Sequence, residues 1–344
     1  TLGVSAFAQT LTDDATAALA RDTLLIPNRN TLINGDFCVA QRGTTFDSTT
    51  TPANNDDTYL LDRWLLISDG NDACDVSQES AVVPTGARNA VKMEAETTDK
   101  QFGICQIIEA SEVKRFDGGV ASLSFQARTT SSGISNIQAA VLAWDSTADT
   151  VTSDVVTTWA ATPTFATNWT AENTPSNLAL TDSYQTFKIE NISIDTASMA
   201  NLAVFIWTAD TVITIGNLLY VGDVQLEKGA VATEFEYKFY AQQLSSCMSY
   251  YESIYIGQAA GGNNNSYCYA QAEFKVEKRD VATLVFTDGA GNVGKISKFT
   301  GGGGLVHNLT ATSSVSDTKY VRVTYTGLST YNGITTTITA DAEL

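Results

Sequence analysis

Three observations predict a mainly β protein. Short apolar runs, several of them alternating with polar residues, are separated by polar turns at intervals of roughly ten to twenty residues. Charged residues make up only 17% of the chain, and Thr, Ser, Asn and Gly take their place, a palette that suits half-exposed strands and turns. No fixed repeat period appears, which disfavours solenoids, propellers and a parallel β-helix. We therefore expect an antiparallel jelly-roll sandwich with a short N-terminal helix, a connecting amphipathic helix and a smaller C-terminal β domain.

Residues 1–29 are predicted to form a helical connector. Thr12 offers a capping hydroxyl, Asp13 and Asp14 place acids at the positive end of the helix dipole, and Pro27 ends the helix. An apolar stripe at helical spacing needs a partner, either the body of the protein or the same helix in other copies. The candidate oligomerisation residues on this stripe are Val4, Phe7, Leu11 and Ala18.

Residues 30–235 are predicted to form the sandwich. Each of five segments approaches period two or forms a short apolar run, as strands do. These predicted strands are 121–128, 137–144, 184–194, 201–207 and 218–229.

The period changes after residue 235. In 236–256 the apolar and aromatic residues Tyr240, Leu244, Cys247, Tyr251 and Tyr255 recur at helical spacing, which predicts one amphipathic helix. Residues 257–344 are predicted to be a small β domain with strands at 267–276, 282–288 and 319–327.

Composition excludes several classes of partner. The formal net charge is −18, with 20 basic against 38 acidic residues, so binding to nucleic acid or to an anionic membrane surface is not expected. No apolar run approaches the roughly 18 residues of a membrane span, so membrane insertion is not expected either. The five cysteines are widely spaced and form no CxxC pair, which indicates reduced, mostly buried side chains.

The sequence evidence for catalytic groups is weak, and no enzyme activity is predicted. His307 is the only histidine and has no GxSxG motif to accompany it. Asp56 with Asp57, and Glu94 with Glu96, are pairs by adjacency only, and solvated acids look the same in a sequence.

The tryptophans give a stronger indication of function. Trp144, Trp159 and Trp169 lie in a Thr-rich, turn-rich stretch, and indole rings stack on sugar faces while Asp and Asn bind the hydroxyls. These three are the candidate glycan-binding residues, although a tryptophan near a strand end is often in the core. Trp64 and Trp207 are predicted to be core residues, and Arg63 is predicted to be structural.

Three stretches together resemble bacteriophage tail-fibre and related virion appendage proteins: "LGVSAFAQTLTDDATAALARDTL" (2–24), "NTLINGDFCVAQRGTTF" with "YLLDRW" (30–64), and "DVQLEKGAVATEFEYKFYAQQLSSCMSYYE" (223–252). The resemblance implies a structural virion subunit, made in the host cytoplasm and assembled as a homotrimer with other virion proteins. It also implies contact with host cell-surface polysaccharide through the sandwich.

The second stretch and the end of the sandwich also resemble carbohydrate-binding modules of the jelly-roll kind. The resemblance implies that the Asn34-Gly35-Asp36 turn belongs to the first strand and is held against the last strand. It also implies a structural calcium at Asn34, Asp36 and Asp223, and no other cofactor. The alternative is that Asn34-Gly35-Asp36 is only a turn.

Two other functions remain open on the sequence alone. One is a purely structural virion component, such as a capsid-decorating fibre or a tail protein, that binds no glycan. The other is a capsule-degrading glycosidase, which would need a cleft with two carboxylates at a suitable separation.

Overall fold

The computed structural model describes residues 28–130, 133–194, 199–256, 260–261, 267–299, 304–326 and 333–344. The chain separates into two compact units, Thr1–Tyr240 with Leu344 and Ala241–Glu343. The predicted N-terminal helix lies outside the described residues. So do the predicted oligomerisation residues Val4, Phe7, Leu11 and Ala18.

The elements of the first unit are numbered in chain order. They are β1 (Thr45–Phe46), β2 (Thr58–Tyr59), β3 (Leu65–Ser68), β4 (Cys74–Glu79), β5 (Ala90–Ala95), β6 (Phe102–Ile108), α1 (Ala110–Val113) with a following 3-10 turn (Lys114–Phe116), β7 (Val120–Thr129), β8 (Asn136–Trp144), β9 (Val156–Thr158), β10 (Thr164–Phe165), β11 (Trp169–Ala171), β12 (Leu178–Ala179), β13 (Gln185–Ser193), β14 (Asn201–Thr208) and β15 (Leu218–Lys228).

The strands of the first unit form an antiparallel sandwich. Sheet A has the order β1-β4-β5-β15-β7-β13, and sheet B has the order β11-β8-β14-β6-β3-β2, with β12 also paired to β8. Successive strands from β5 to β8, and from β13 to β15, alternate between the two sheets, which is jelly-roll connectivity. The predicted fold class is confirmed, and each of the five segments predicted as strands lies on a strand of the sandwich.

The main core lies between the two sheets. Alternate residues of β7 face inward, so that Leu123 and Phe125 pack in the same cluster as Ile206 of β14 and Leu226 of β15. Trp64 and Trp207 are buried, as predicted. Cys74, Cys105 and Cys247 are buried too, which agrees with their prediction as small apolar side chains.

A second apolar layer covers the outer face of sheet B. Strand β8 is apolar on both faces, and its outward residues join Phe205 and Trp207 in a separate cluster. The residues that cover this face come from the segment between β8 and β12, among them Val155, Val156 and Trp169. Gly103 of β6 shows how closely the strands pack, because a Cβ there would lie 2.2 Å from the Ile206 carbonyl oxygen.

The Asn34-Gly35-Asp36 turn is held against β15, as expected. The Val224 amide donates to the Gly35 carbonyl at 2.9 Å, and a Cβ on Gly35 would lie 2.1 Å from the Val224 carbonyl oxygen, so only glycine fits. Trp64 donates its indole N–H to the Asn34 carbonyl at 2.9 Å. These contacts bring the second and third of the resembling stretches together in space.

The prediction that this turn belongs to the first strand is wrong, because β1 begins only at Thr45. The backbone before β1 makes only isolated hydrogen bonds to β15, from the Thr31 amide to the Leu226 carbonyl and from the Val224 amide to the Gly35 carbonyl, and side chains hold much of the rest. The Ile33 amide donates to Gln106, the Val39 amide to Asn34 and the Gln41 amide to Asp62.

The two ends of the sandwich segment are also joined. The Glu236 carboxylate accepts hydrogen bonds from the Asn28 amide at 2.5 Å and from the Asn30 amide at 2.9 Å. Lys238 Nζ donates to the Asn30 carbonyl at 3.1 Å. The first described residues of the unit therefore lie beside its last ones.

The second unit contains a short helix and nine strands among the described residues. They are α2 (Tyr240–Met248), which begins at the boundary residue, β16 (Tyr251–Ile256), β17 (Ala260–Gly261), β18 (Tyr267–Glu273), β19 (Thr283–Thr287), β20 (Ile296–Phe299), β21 (Leu305–Leu309), β22 (Ser313–Ser316), β23 (Tyr320–Thr326) and β24 (Ile334–Asp341). One sheet has the order β16-β24-β20-β21 with β19 also on β24, and another has the order β17-β18-β23-β22. The strands predicted at 267–276, 282–288 and 319–327 are confirmed.

The predicted helix over 236–256 is wrong at its C-terminal end. The helix ends at Met248, and residues 251–256 form β16, which pairs with β24 from Tyr251–Asp341 to Ile256–Thr336. Pairing with a strand about 85 positions away along the chain overrides the local helical spacing of Tyr251 and Tyr255.

Candidate functional site

The outer face of sheet A differs in chemistry from the rest of the sandwich. Along β7, Leu123 and Phe125 point into the core, so Ser122, Gln126 and Arg128 point away from it. We call the residues Lys92, Gln126, Arg128, Tyr184, Tyr220, Asp223 and Tyr237 the sheet A outer face. They combine hydrogen-bonding groups with three phenol rings.

Arg128 lies between two of these rings. Its guanidinium carbon is 5.5 Å from the ring centroid of Tyr220 and 5.9 Å from that of Tyr184. Tyr220 of β15 stands directly opposite Arg128 of β7 on one side and opposite Lys92 of β5 on the other. Lys92 is paired with Glu94 at 3.1 Å. Tyr220 therefore lies between two cations. Glu94 neutralises the charge of Lys92, whereas Arg128 has no acidic partner among the described residues.

Tyr184 is fixed by its hydroxyl, which donates to the Val82 carbonyl at 3.0 Å. Burial raises the pKa of Tyr184, and the nearby Arg128 charge opposes that shift. The phenol therefore remains a neutral hydrogen-bond donor at physiological pH.

Asp223 is placed on this face by a bulge in β15. Gln126 pairs with Gly222 and Ser124 pairs with Gln225, so two residues of β15 stand opposite Phe125 alone. Asp223 has a φ of +52°, which is uncommon for a residue with a Cβ. The bulge turns the carboxylate onto the outer face.

The Asp223 carboxylate is buried, and only one of its two oxygens accepts hydrogen bonds. Its Oδ2 accepts hydrogen bonds from Gln126 Nε2 and from the Tyr237 hydroxyl, each at 2.9 Å. Its Oδ1 is buried and has no hydrogen-bond partner within the described part of the chain. Burial raises the pKa of Asp223 to about 6, and the charge of Asp36 acts in the same direction.

Tyr237 presents a ring that is both fixed and accessible. The hydroxyl is held by Asp223, the ring makes an edge contact with Phe235 at 4.8 Å, and 49% of the residue is exposed. A phenol ring held in this way can take a flat apolar surface without losing much side-chain entropy.

Two connections border the face. The β4–β5 connection crosses it near its centre, where Pro84 packs on Gly222, since a Cβ at Gly222 would lie 2.8 Å from the Pro84 ring. The segment after β15 covers one end, because Thr233 bonds to both Gln225 and Glu227. Arg128 and Tyr220 lie on one side of the Pro84 crossing, and the Asp223 bulge lies on the other side, towards the segment after β15.

The predicted glycan-binding tryptophans lie elsewhere. Trp144 and Trp169 are a cross-strand pair, 4% and 5% exposed, and donate their indole N–H groups to the carbonyls of Thr147 and Thr152. Neither offers an open ring face, so a stacking role for these two does not fit their burial. Trp159 is half-buried with its ring 6.1 Å from that of Phe205, and its role stays a prediction.

The predicted calcium ligands are close in space, but Asn34 does not fit the role. Its side-chain oxygen accepts the Val39 amide, and its nitrogen donates to the carbonyls of Val39 and Asp62. Asp36 and Asp223 remain, whereas calcium takes six to eight oxygen ligands. Among the residues that the structure describes, no group of three or more His, Cys, Asp or Glu side chains could hold a metal. Calcium at Asp36 and Asp223 stays a prediction.

The candidate catalytic groups are engaged in structural contacts. His307 Nδ1 lies 2.8 Å from Ser297 Oγ, but Ser297 is fully buried and also accepts the Gly289 amide. Asp56 accepts the Ser68 amide, and Asp57 accepts the Ser153 hydroxyl. Arg63, predicted to be structural, is buried and donates to the Ile107 carbonyl.

The sequence contained a signal for the sheet A outer face that composition alone did not reveal. The stretch 122–128 alternates Ser, Ser, Gln and Arg with apolar residues, which indicates a polar outer face on the sheet. The tyrosines that complete the face come from β15, from the residue before β13 and from the segment after β15. Their convergence depends on sheet order, which the local pattern does not encode.

Comparison with known proteins gives distant similarity only. No family model matches the chain, and no curated protein matches its sequence. Among solved structures, it is similar to the enzymatically active domain of tailspike protein 4 of bacteriophage CBA120, with a TM-score of 0.36, 12% identity, 59% of this chain covered and 22% of that one. The matched region thus spans under a quarter of the tailspike chain.

Carbohydrate-binding modules are among the other similar structures. TmCBM61, solved in complex with β-1,4-galactotriose, has a TM-score of 0.34 and 14% identity over 59% of this chain and 100% of that one. A xylan-binding domain from CBM 22 has a TM-score of 0.34 and 10% identity over 52% and 94%. At these scores the similarities carry no functional argument. In the described residues, no helix has the length and apolarity needed to cross a membrane.

Proposed function

We propose that this protein is a non-enzymatic, glycan-binding structural subunit of a phage tail fibre or related virion appendage. The observation that carries the proposal is the sheet A outer face. Tyr237 presents an exposed ring there and Tyr184 a half-buried one, whereas the Tyr220 ring is buried. Beside them lie two buried polar atoms without partners in the described residues, Asp223 Oδ1 and Arg128 Nε. A sugar supplies hydroxyl donors and acceptors for such atoms and a flat C–H face for a ring.

The virion assignment is supported by the three stretches that resemble phage appendage proteins. The second and third of them pack together at Gly35, Val224 and Glu236, so the resembling residues include those that close the sandwich. We propose a homotrimer that assembles with other virion proteins, in which several weak sugar sites act together to bind a host surface.

The first experiment measures adsorption of the labelled full-length protein to candidate host cells, with and without periodate treatment of their surface glycans. Light scattering first establishes that the protein is a trimer. We expect adsorption that is lost after periodate treatment, and no release of reducing sugar from the cells. A monomer in light scattering would remove the trimer from the proposal.

A matched pair of variants assigns the site. Tyr237→Ala removes the exposed ring of the sheet A outer face, and Tyr255→Ala removes another exposed tyrosine, on β16 of the second unit. We expect Tyr237→Ala to weaken adsorption about tenfold, the loss of one stacking contact, and Tyr255→Ala to leave it unchanged. A trimer that adsorbs to no host, or whose adsorption ignores periodate, would favour a purely structural role.

A further inference from the structure

Arg128 is a cation without an anionic partner. In the described residues its contacts are the two tyrosine rings, and its Nε is buried with no hydrogen-bond acceptor. Two other cations of sheet A have polar partners. Lys92 pairs with Glu94 at 3.1 Å, and Lys188 donates to the Ala232 carbonyl at 3.0 Å.

The position of Arg128 is unusual in so acidic a chain. The protein has 38 acidic residues, yet none of those described forms an ion pair with this guanidinium. Arginine stays charged at any physiological pH, and a half-buried guanidinium has lost part of its hydration. Ring faces compensate only a fraction of that loss. The position therefore favours an acceptor supplied by a ligand.

We propose that the sheet A outer face binds an acidic glycan, with Arg128 bonding the carboxylate of a uronic-acid-type sugar. The inference rests on the glycan-binding function proposed above and specifies its ligand. The planar guanidinium can donate two parallel hydrogen bonds to a carboxylate, which a neutral hydroxyl cannot accept in the same way. Tyr184 and Tyr220 flank the guanidinium and restrict its orientation.

The two ends of the sheet A outer face would then bind different parts of the ligand. Arg128 faces the acid group, whereas the partnerless Asp223 Oδ1 accepts from a neutral hydroxyl and would repel a second carboxylate. An acidic sugar at one end and a hydroxyl-rich sugar at the other fit this arrangement. A glycan that carries an acid on every residue fits it less well.

The experiment uses surface polysaccharide extracted from a cell type to which the protein adsorbs in a periodate-sensitive way. One portion stays native, a second is carboxyl-reduced, and a third is dephosphorylated. Binding of the full-length protein is measured by biolayer interferometry at pH 7.5 for wild type, Arg128→Gln, Arg128→Lys and Lys100→Gln. Lys100 pairs with Asp69 outside this face, so Lys100→Gln repeats the charge change of Arg128→Gln.

We expect wild type to bind the native and dephosphorylated polysaccharides at least about tenfold more tightly than the carboxyl-reduced one. Arg128→Gln should lose that preference, Arg128→Lys should keep part of it, and Lys100→Gln should match wild type. Thermal unfolding of each variant shows whether it is folded. If Arg128→Gln fails to fold, Arg128→Lys provides the test, because it keeps the charge but loses the planar guanidinium.

The other possible outcomes overturn the inference, and each one shows which part of it fails. Equal binding of the native and carboxyl-reduced forms, or an Arg128→Gln variant that keeps the preference, removes the acidic ligand but leaves glycan binding intact. Loss of binding only on dephosphorylation replaces the carboxylate with a phosphate ester. If no cell type is bound in the periodate test, the proposed function itself fails.

Discussion

The two outer faces of the sandwich contrast sharply. On sheet B, the outward residues of β8 and β14 are apolar, and the segment after β8 covers them with its own core. On sheet A, the outward residues of β7 are Ser, Gln and Arg, and only parts of the face are covered. Both sheets bury their inner faces in the same core. The lesson is that a strand that is apolar on both faces indicates a sheet covered by an apolar layer, and an alternating strand indicates a polar outer face.

The contrast also explains why the tryptophan-rich stretch is not the better glycan site. An apolar sheet face needs a large apolar cover, and Trp144, Trp169 and the half-buried Trp159 contribute to it. These tryptophans, a residue type that often stacks on sugars, therefore pack against sheet B instead.

The largest effect is expected from breaking the apolar layer on the outer face of sheet B. Trp207→Ala removes a fully buried ring that stacks on Phe205 at 4.7 Å and donates its indole N–H to the Ala161 carbonyl. The free energy of unfolding should fall by about 3–5 kcal/mol, measured by urea denaturation. Thr186→Ala, an exposed position on β13 of sheet A, is the control and should change it by less than about 0.5 kcal/mol. Equal effects would contradict the contrast between the faces.

A pH-dependent effect is expected from Asp223. Its folded pKa of about 6 lies above the ordinary value of 3.8, so the folded state binds the proton more tightly. This contribution to stability is fully present below pH 3.8 and is lost as the pH rises through 6. Asp223→Asn can still accept from Gln126 and Tyr237, and asparagine tolerates a positive φ.

Asp223→Asn should therefore match wild type near pH 4 and exceed it by about 2 kcal/mol at pH 7.5, measured by denaturation across that range. Other acids of the sandwich titrate in the same window, but they cancel in the difference between the two proteins. A difference that stays constant with pH would show that the carboxyl does not have a raised pKa.

A smaller effect is expected from Trp159, and it tests the assignment of the site. Trp159→Ala should lower the free energy of unfolding by about 1–2 kcal/mol, because the ring is only half-buried. Glycan adsorption should be unchanged. If Trp159→Ala abolished adsorption while Tyr237→Ala adsorbed normally, the site would lie over sheet B, and the sequence-based prediction would be preferred.

The smallest effect is expected from Tyr184→Phe. The change removes the hydrogen bond to the Val82 carbonyl but keeps the ring beside Arg128. Stability should fall by about 1 kcal/mol, seen as a small shift in the thermal midpoint, while adsorption is retained. Loss of adsorption with unchanged stability would assign the hydroxyl itself to the ligand.

Much of the fold was predictable from the sequence, because strands such as β7, β14 and β15 carry a strong local pattern. The extent of α2 was not, since the pairing of β16 with β24 is a contact between distant parts of the chain. The candidate site was less predictable still. The order of strands in sheet A and one bulge in β15 bring Arg128, Tyr184 and Asp223 together. Neither feature can be predicted from the local spacing of residues.

The joined ends of the sandwich have a mechanical consequence. Tension applied between residue 28 and residue 240 first reaches the bonds that tie Asn28 and Asn30 to Glu236, and Lys238 to the Asn30 carbonyl. Part of the force then passes directly from one short segment to the other, which reduces the load on the ladders of sheets A and B while those bonds hold. The face that carries Arg128 and Tyr237 keeps its shape when the chain is pulled at these two points.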